Sequence, residues 1–244
     1  MSSTRTEALS TSWAVPLLAT ATGRGVRIGI VDSGVHATHP HVQGVAGGVS
    51  ITSDGACTDD FLDRIGHGTA VTAAIREKAP DADLYAVRVF DRALSANVAT
   101  LCAALDWAID SGMRVINLSL GTANAGHRER LAAVVQRATE RGAIIVAAGL
   151  DEGIAWLPGS LPGVVPVRVD WRMPRGEFQI VHTAGGAAMS TSGFPRPIPG
   201  VPPERNLNGI SFAVANATGF IARILEHTPS ATAADILAIR AVDA

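Results

Sequence analysis

Three residue types that can carry out nucleophilic catalysis together stand next to glycines in this chain. They are Asp32, in the stretch VDSG (31–34), His67, in GHGT (66–69), and Ser211, in NGIS (208–211). A serine hydroxyl is a weak nucleophile until an imidazole takes its proton, and a carboxylate can hold that imidazole in the required tautomer. The pattern predicts Ser211 as nucleophile, His67 as general base and acid, and Asp32 as the group that orients His67. The alternative for Ser211 is the N-cap of the helix that follows it.

The chain order Asp, His, Ser separates this set from two other serine hydrolase arrangements. The chymotrypsin order is His, Asp, Ser, and the α/β-hydrolase order is Ser, Asp, His. Further short motifs occur in the same succession: His39-Pro40, the apolar stretches 84–89 and 115–121, and Ala147-Ala148-Gly149. Over most of residues 13–230 the chain resembles the subtilisin-like serine peptidases. The resemblance implies an α/β fold of three layers, doubly wound, with a mostly parallel central sheet. It also implies that Ser119, Leu120 and Gly121 receive the substrate backbone.

The sequence departs from the family pattern where an asparagine normally donates a hydrogen bond to the oxyanion. After Gly149 the chain reads Leu150-Asp151, and either residue could stand at the asparagine position. Leucine has no donor, and an ionised carboxylate would repel the oxyanion. The residue before the nucleophile is Ile210 instead of the family's threonine. Loss of the asparagine donor costs subtilisin about 10²–10³ in turnover, so this altered oxyanion region predicts reduced activity.

Three functions fit these observations. The first is a serine endopeptidase that cleaves slowly and selectively, acting on a dedicated peptide or precursor. The second is a pseudoprotease, weak or inactive, that keeps the triad and uses the substrate strand to bind a peptide or partner. The third retains the acyl-enzyme but transfers it to an amine, which would give ligation. The sequence alone does not choose between hydrolysis and ligation.

Alternating apolar and helical patterns predict repeated βαβ units around a parallel sheet. Stretches 114–119 and 143–148 are nearly all apolar, as strands covered on both faces should be. The proline-rich segment 184–208 is predicted to be a surface loop, and Ser230 the cap of the last helix. The predicted strands are 26–32, 83–89, 114–119, 143–148 and 163–169, and the predicted helices are 66–77, 96–110, 127–141, 211–227 and 231–240.

Length and composition favour a single catalytic domain over residues 1–244. The chain has 244 residues, of which 47% are hydrophobic and 17% charged, with a net charge of −2. This balance gives no indication of binding to nucleic acid or to a membrane. The first residues lack the apolar core of a signal peptide, and Trp13–Pro16 already resembles the start of a mature domain, so we expect a cytoplasmic protein without a pro-segment. Folding assistance from a separate partner protein stays open.

No cofactor or metal is expected. His36, His39 and His41 could form a metal cluster, although His39-Pro40 belongs to the family pattern. The resemblance also implies a calcium site, but the chain lacks the asparagine-rich loop after the histidine helix, and His41 replaces the family's aspartate. Cys102 is predicted to be a small core residue, with a disulfide to Cys57 as the alternative.

Overall fold

The computed structural model describes residue 18 and residues 20–90, 95–151, 153–183 and 186–239. The predicted start of the mature domain at 13–16 lies outside these ranges. None of the described helices is long and apolar enough to cross a membrane.

The centre of the described structure is a nine-stranded, mostly parallel sheet. Its strands are β1 Arg27–Asp32, β2 Gly47–Ile51, β3 Cys57–Thr58, β4 Asp83–Arg88, β5 Val115–Leu118, β6 Ile144–Ala148, β9 Val164–Val169, β10 Phe178–Thr183 and β11 Gly186–Thr191. A separate hairpin joins β7 Leu150–Asp151 to β8 Ile154–Ala155. The strand order in the sheet is β10-β11-β9-β6-β5-β1-β4-β2-β3, and only the edge pairs β10–β11 and β2–β3 are antiparallel. The central strands β1, β5 and β6 consist mostly of apolar residues that are buried on both faces.

Helices cover both faces of the sheet and form two separate cores. The helices are α1 His67–Lys78, α2 Val98–Asp110, α3 Arg128–Glu140, α4 Ile210–His227 and α5 Ala233–Leu237, with short 3₁₀ turns at Ala125–His127 and Pro203–Arg205. One core contains residues of α1, α4 and α5, and the other contains residues of α2 and α3. The predicted three-layer α/β fold is therefore confirmed.

The five predicted strands and five predicted helices are present, with ends shifted by a few residues. The prediction of an irregular loop over 184–208 is wrong in its first part, because Gly186–Thr191 forms β11 between β9 and β10. Its sequence, GAAMST, has only one β-branched residue, so strand propensity gave little signal. The cap of the last helix is Thr232 rather than Ser230. The Thr232 side chain and Asp235 form a reciprocal capping box.

Helices α1 and α4 cross at close range in the first core. A Cβ added at Gly219 of α4 would lie 2.4 Å from the Cβ of Lys78 in α1. The absence of a side chain at Gly219 therefore lets the two helices approach. This contact helps to set the relative position of α1, which begins at His67, and α4, which contains Ser211 near its start.

Candidate active site

Asp32 and His67 meet where β1 ends and α1 begins. Asp32 is the last residue of β1 and is fully buried, and His67 is the first residue of α1. The Nδ1 atom of His67 lies 2.7 Å from Oδ1 of Asp32, which also accepts the N–H of Ser33 at 2.7 Å. Such a bond fixes the ring orientation and leaves Nε2 as the nitrogen that can exchange a proton with substrate.

The close approach of α1 to the end of β1 requires a glycine at position 68. A Cβ there would lie 2.2 Å from the carbonyl oxygen of Gly34 and 3.2 Å from the Cβ of Asp32. Real Cβ atoms do not approach a carbonyl oxygen so closely. The glycine that follows His67 therefore has a packing role: it lets the helix bring the imidazole to the carboxylate.

A second carboxylate, Asp63, holds the start of α1 in place. Its Oδ1 accepts the N–H groups of Ile65 and Gly66 at 2.9 and 2.8 Å and the hydroxyl of Ser33 at 2.9 Å. Its Oδ2 accepts the N–H and the hydroxyl of Thr69 at 2.8 and 2.6 Å. The backbone bond from Thr69 satisfies a helix N–H group that has no acceptor within the helix, and those from Ile65 and Gly66 fix the residues just before the helix. Asp63 is a residue that the sequence patterns above do not predict; the available signal is its position four residues before His67, ahead of a helix start.

The pKa of His67 is raised above its ordinary value. Burial alone would lower it, but the hydrogen bond and the charge of Asp32 outweigh burial, and the charge of Asp63 acts in the same direction. A raised pKa makes His67 a stronger base, so it is better suited to remove a proton from a hydroxyl.

Ser211 lies in the wall of a cavity of about 220 Å³ that His67 also lines, here called the active-site cavity. It is the second residue of α4, where backbone N–H groups lack acceptors within the helix and the helix dipole favours negative charge. The Ser211 hydroxyl donates to the carbonyl oxygen of Ser119 at 3.4 Å, a long contact. The cavity is lined by His67, Phe90, Leu118, Ser119, Leu120, Gly121, Ala148, Trp156, Ile210, Ser211 and Val214.

The predicted substrate strand, 119–121, forms one wall of the active-site cavity. Hydrogen bonds from the residues on either side of it hold it in position. The buried amide of Asn117 donates to the hydroxyl of Ser119 at 2.8 Å and accepts a hydrogen bond from Thr218 of α4 at 3.0 Å. On the next residue, Thr122 exchanges backbone hydrogen bonds with Leu157, both at 2.9 Å. The structure thus ties the end of β5 both to the helix that contains Ser211 and to the segment that contains Trp156.

Two of the three residues predicted for the oxyanion region, Ile210 and Leu150, lie in different surroundings. Ile210 lines the active-site cavity, whereas Leu150 lies in the β7–β8 hairpin, is 44% exposed and is not among the residues that line that cavity. The side chain of Asp151 lies outside the described part of the chain. The backbone N–H of Ser211 and the N-terminus of α4 are therefore the groups placed to stabilise negative charge.

The asparagines near Ser211 in sequence donate elsewhere. Asn216 is fully buried and its amide donates to the carbonyl oxygens of Ser192 and Phe194 at 2.9 and 3.1 Å. Asn206 donates to Arg196 at 3.2 Å, and Asn208 donates to the Asn206 carbonyl at 3.4 Å. We find no replacement for the family's asparagine among these three amides.

The residues present do not fit the family's calcium site. Helix α1 ends at Lys78 and β4 begins at Asp83, so no loop is inserted between them, and His41 offers a nitrogen where calcium prefers oxygen. Among the described residues, no three His, Cys, Asp or Glu side chains are grouped to hold a metal ion. Cys102 is buried in the core, as predicted, and both Cys102 and exposed Cys57 are free thiols.

Sequence and structure comparisons agree on one family. The sequence model of a protein family described as "Subtilase family" matches residues 23–165 of this chain. Subtilisin Savinase of Lederbergia lenta is 31% identical over 86% of this chain and 79% of its own length. A thermostable alkaline protease of Halalkalibacterium halodurans is 32% identical over 86% of this chain, which spans only 59% of that relative's length.

Two solved structures show the same fold. A cold-adapted subtilisin-like serine proteinase matches with a TM-score of 0.66 at 20% identity, covering 89% of this chain and 81% of that one. The prenylagaramide maturation protease PagA matches with a TM-score of 0.66 at 23% identity, covering 88% and 81%. With the extent of the family match and the identity to Savinase, these likenesses establish that the chain belongs to the subtilase family.

Proposed function

We propose that this protein is a serine endopeptidase that uses Ser211, His67 and Asp32. The observation that carries the proposal is the 2.7 Å contact between His67 Nδ1 and buried Asp32, with Ser211 and His67 in the wall of one cavity. A buried carboxylate on the far nitrogen of an imidazole is the arrangement that lets this imidazole activate a hydroxyl.

The proposed reaction proceeds through an acyl-enzyme. The Ser211 hydroxyl turns from the Ser119 carbonyl toward Nε2 of His67 and attacks the substrate carbonyl carbon as His67 takes its proton. Collapse of the tetrahedral intermediate breaks the peptide C–N bond, and His67 returns the proton to the leaving amine. Water then attacks the ester carbonyl carbon as His67 takes its proton. Collapse of this second intermediate releases the second product, and His67 returns the proton to Ser211. Asp32 stays ionised throughout and stabilises the imidazolium.

The substrate backbone is proposed to pair with 119–121 as an added strand. These residues follow directly on β5, their position is fixed by Asn117, and they border the same cavity as Ser211. The side chain before the cleaved bond would then enter the active-site cavity and contact Trp156, which is partly buried in its wall.

We further propose that cleavage is slow and selective for a dedicated peptide or precursor. Ile210 and exposed Leu150 supply no hydrogen-bond donor, and the asparagines near Ser211 donate elsewhere. A weak oxyanion site makes the rate depend more on substrate positioning. One structural neighbour, PagA, is named as a maturation protease, which is a precedent for such a task in this fold.

The same departures favour a second candidate, a pseudoprotease that binds a peptide or partner along 119–121 without efficient cleavage. The two candidates differ in whether the Ser211 hydroxyl is activated. A fluorophosphonate that reacts with activated serines separates them, because labelling needs the base but no particular peptide.

The test compares intact masses of wild type, Ser211→Ala and the control Ser160→Ala after incubation with the fluorophosphonate. Ser160 is an exposed serine outside the cavity, so its loss leaves the proposed nucleophile in place. A single adduct on wild type and Ser160→Ala, absent from Ser211→Ala, supports the peptidase. No adduct on folded wild type would favour the pseudoprotease.

A further inference from the structure

A second cavity, of about 310 Å³, borders the first turns of α1 and shares no lining residue with the active-site cavity. We call it the histidine–arginine cavity. Its walls come from the loop 36–41, the first turns of α1 and the segment 195–207. It is lined by His36, His39, His41, Asp63, Gly66, Thr69, Ala70, Ala73, Pro195, Arg196, Ile198, Asn206 and Leu207.

Two residues that line this cavity are close in sequence to residues of the proposed triad. Gly66 is bonded to His67, and Leu207 precedes Ser211 by four residues. On the proposed function, the part of the substrate that forms the acyl-enzyme lies along 119–121, in the active-site cavity. The part that leaves must extend away from that strand, and the histidine–arginine cavity, lined by Gly66 and Leu207, shares no residue with the wall formed by 119–121.

Among the side chains that the structure describes, no carboxylate forms an ion pair with Arg196, the basic group in this cavity. Arg196 makes one long contact, from Nη1 to the carbonyl oxygen of His41 at 3.4 Å, and has no carboxylate partner among the described residues. A guanidinium carries five N–H donors in a planar fork that matches a carboxylate. Most of the hydrogen-bonding capacity of Arg196 is therefore available to a ligand.

His39 adds a further donor to the same wall, where it lies with His36 and His41. Nδ1 of His39 accepts the N–H of His41 at 3.2 Å, and the two rings meet edge to face with centroids 5.3 Å apart. Nδ1 of His36 contacts the Thr38 hydroxyl at 3.3 Å. With Nδ1 of His39 occupied as an acceptor, its Nε2 is the protonated nitrogen and can donate to a ligand.

Two carboxylates are described near this cavity, and both are already engaged. Both oxygens of Asp63 are occupied by the five hydrogen bonds at the start of α1. Glu77, whose charge acts on His41, is paired with Arg175 and Lys78. Neither carboxylate contacts Arg196, so neither competes with an incoming group for the guanidinium.

We propose that the histidine–arginine cavity binds a carboxylate carried by the leaving part of the substrate, with Arg196 as its principal partner. The carboxylate is either an Asp or Glu side chain or the α-carboxylate of a short leaving peptide. Ile198 and Leu207, 45% and 52% exposed, would contact apolar atoms beside it. This inference rests on the proposed function for the direction of the substrate.

The test uses protein with ¹⁵N-labelled histidine, carrying Ser211→Ala to prevent turnover, and follows its imidazole resonances by NMR. Three peptides are titrated: Ala-Glu-Ala-amide has only the side-chain carboxylate, Ala-Gln-Ala has only the α-carboxylate, and Ala-Gln-Ala-amide has neither. We expect resonances of His36, His39 and His41 to shift with at least one carboxylate peptide, at tenfold or greater affinity over the peptide that lacks a carboxylate. The peptide that binds identifies the source of the carboxylate.

Adding Arg196→Gln should abolish this preference, whereas Arg172→Gln, an exposed arginine outside the cavity, should preserve it. Equal binding of all three peptides, or no binding, would overturn the proposal, and so would an intact preference in folded Arg196→Gln. If Arg196→Gln does not fold, the comparison of peptides on the Arg196 protein decides. The NMR experiment needs no catalysis, so its failure is distinguishable from a failure of fluorophosphonate labelling.

Discussion

Asp63 accepts two hydrogen bonds from Thr69, one from the backbone N–H and one from the hydroxyl. These bonds connect the segment before His67 to the helical turn that begins with it. Its other oxygen accepts the hydroxyl of Ser33, which in turn accepts the N–H of Gly68 at 2.9 Å. The carboxylate thus connects the end of β1 to the first turn of α1, the two segments that must hold Asp32 against His67.

Replacing Asp63 with asparagine should lower the pKa of His67 and destabilise the fold. The negative charge at Asp63 raises that pKa, and an amide both removes the charge and cannot accept all five bonds. Unmet buried donors cost about 1–3 kcal/mol each. The pKa is measured by NMR titration of His67, and the free energy of unfolding by urea. Asp59→Asn, a change at an exposed aspartate nearby, should move neither; an unchanged His67 pKa in Asp63→Asn would contradict the electrostatic part.

Asp32→Asn should lower the pKa of His67 by more than Asp63→Asn does. Asp32 is the main group that raises this pKa against the effect of burial, so without its charge burial dominates and the pKa falls below 6.5. Because the base must be neutral, wild-type peptidase activity should rise with pH through a midpoint above 6.5. Turnover of Asp32→Asn should drop by about 10⁴. A wild-type midpoint at or below 6.5 would contradict the proposed coupling.

Leu150→Asn should raise turnover if position 150 faces the oxyanion when substrate binds. One side-chain donor is worth about 10²–10³ in turnover in subtilisin, and Leu150 is exposed, so the change should cost little stability. The matched control is Ile154→Asn, at a 42% exposed residue of the same hairpin. Rates of fluorophosphonate labelling and of peptide cleavage report the effect. Equal rates in both variants would show that the hairpin does not place residue 150 at the oxyanion.

Glu77 should contribute to stability in a defined pH range. Burial would raise its pKa, but Arg175 and Lys78 outweigh burial and lower the pKa to about 2. A lowered pKa gives stability that is present above the ordinary value of 4.5 and lost as the pH falls toward 2. The contribution is on the order of 2 kcal/mol, allowing for partial exposure. Urea unfolding at about pH 7 and about pH 3 should therefore show a smaller acid-induced loss for Glu77→Gln than for wild type. Glu129→Gln, at an exposed glutamate of α3, should behave as wild type; equal losses in all three proteins would exclude this role.

The central strands could be predicted from sequence, and the members of the proposed triad could be selected from it, because each depends on a local pattern. Apolar runs such as 114–119 indicate buried parallel strands wherever they occur, and the glycines beside His67 are adjacent to it. Strand β11 could not be predicted, because its small residues are held by pairing with β9 and β10, which are distant interactions. The hydrogen-bond network of Asp63 depends on Ser33, 30 residues away. Likewise, nothing in the sequence around Leu150 indicates that its side chain is exposed in a hairpin.

The burial of α4 has a consequence for how such a protein can change its substrate. Nearly every side chain from Phe212 to Leu225 is buried, so the backbone that holds Ser211 is part of the core itself. A mutation that shifted this serine would disturb packing throughout the domain. The hairpin at 150–155 and the segment 195–207 instead lie largely at the surface, close to the two cavities. New preferences can therefore be acquired by altering these two loops while the chemistry stays unchanged, which makes them the places to randomise when engineering selectivity.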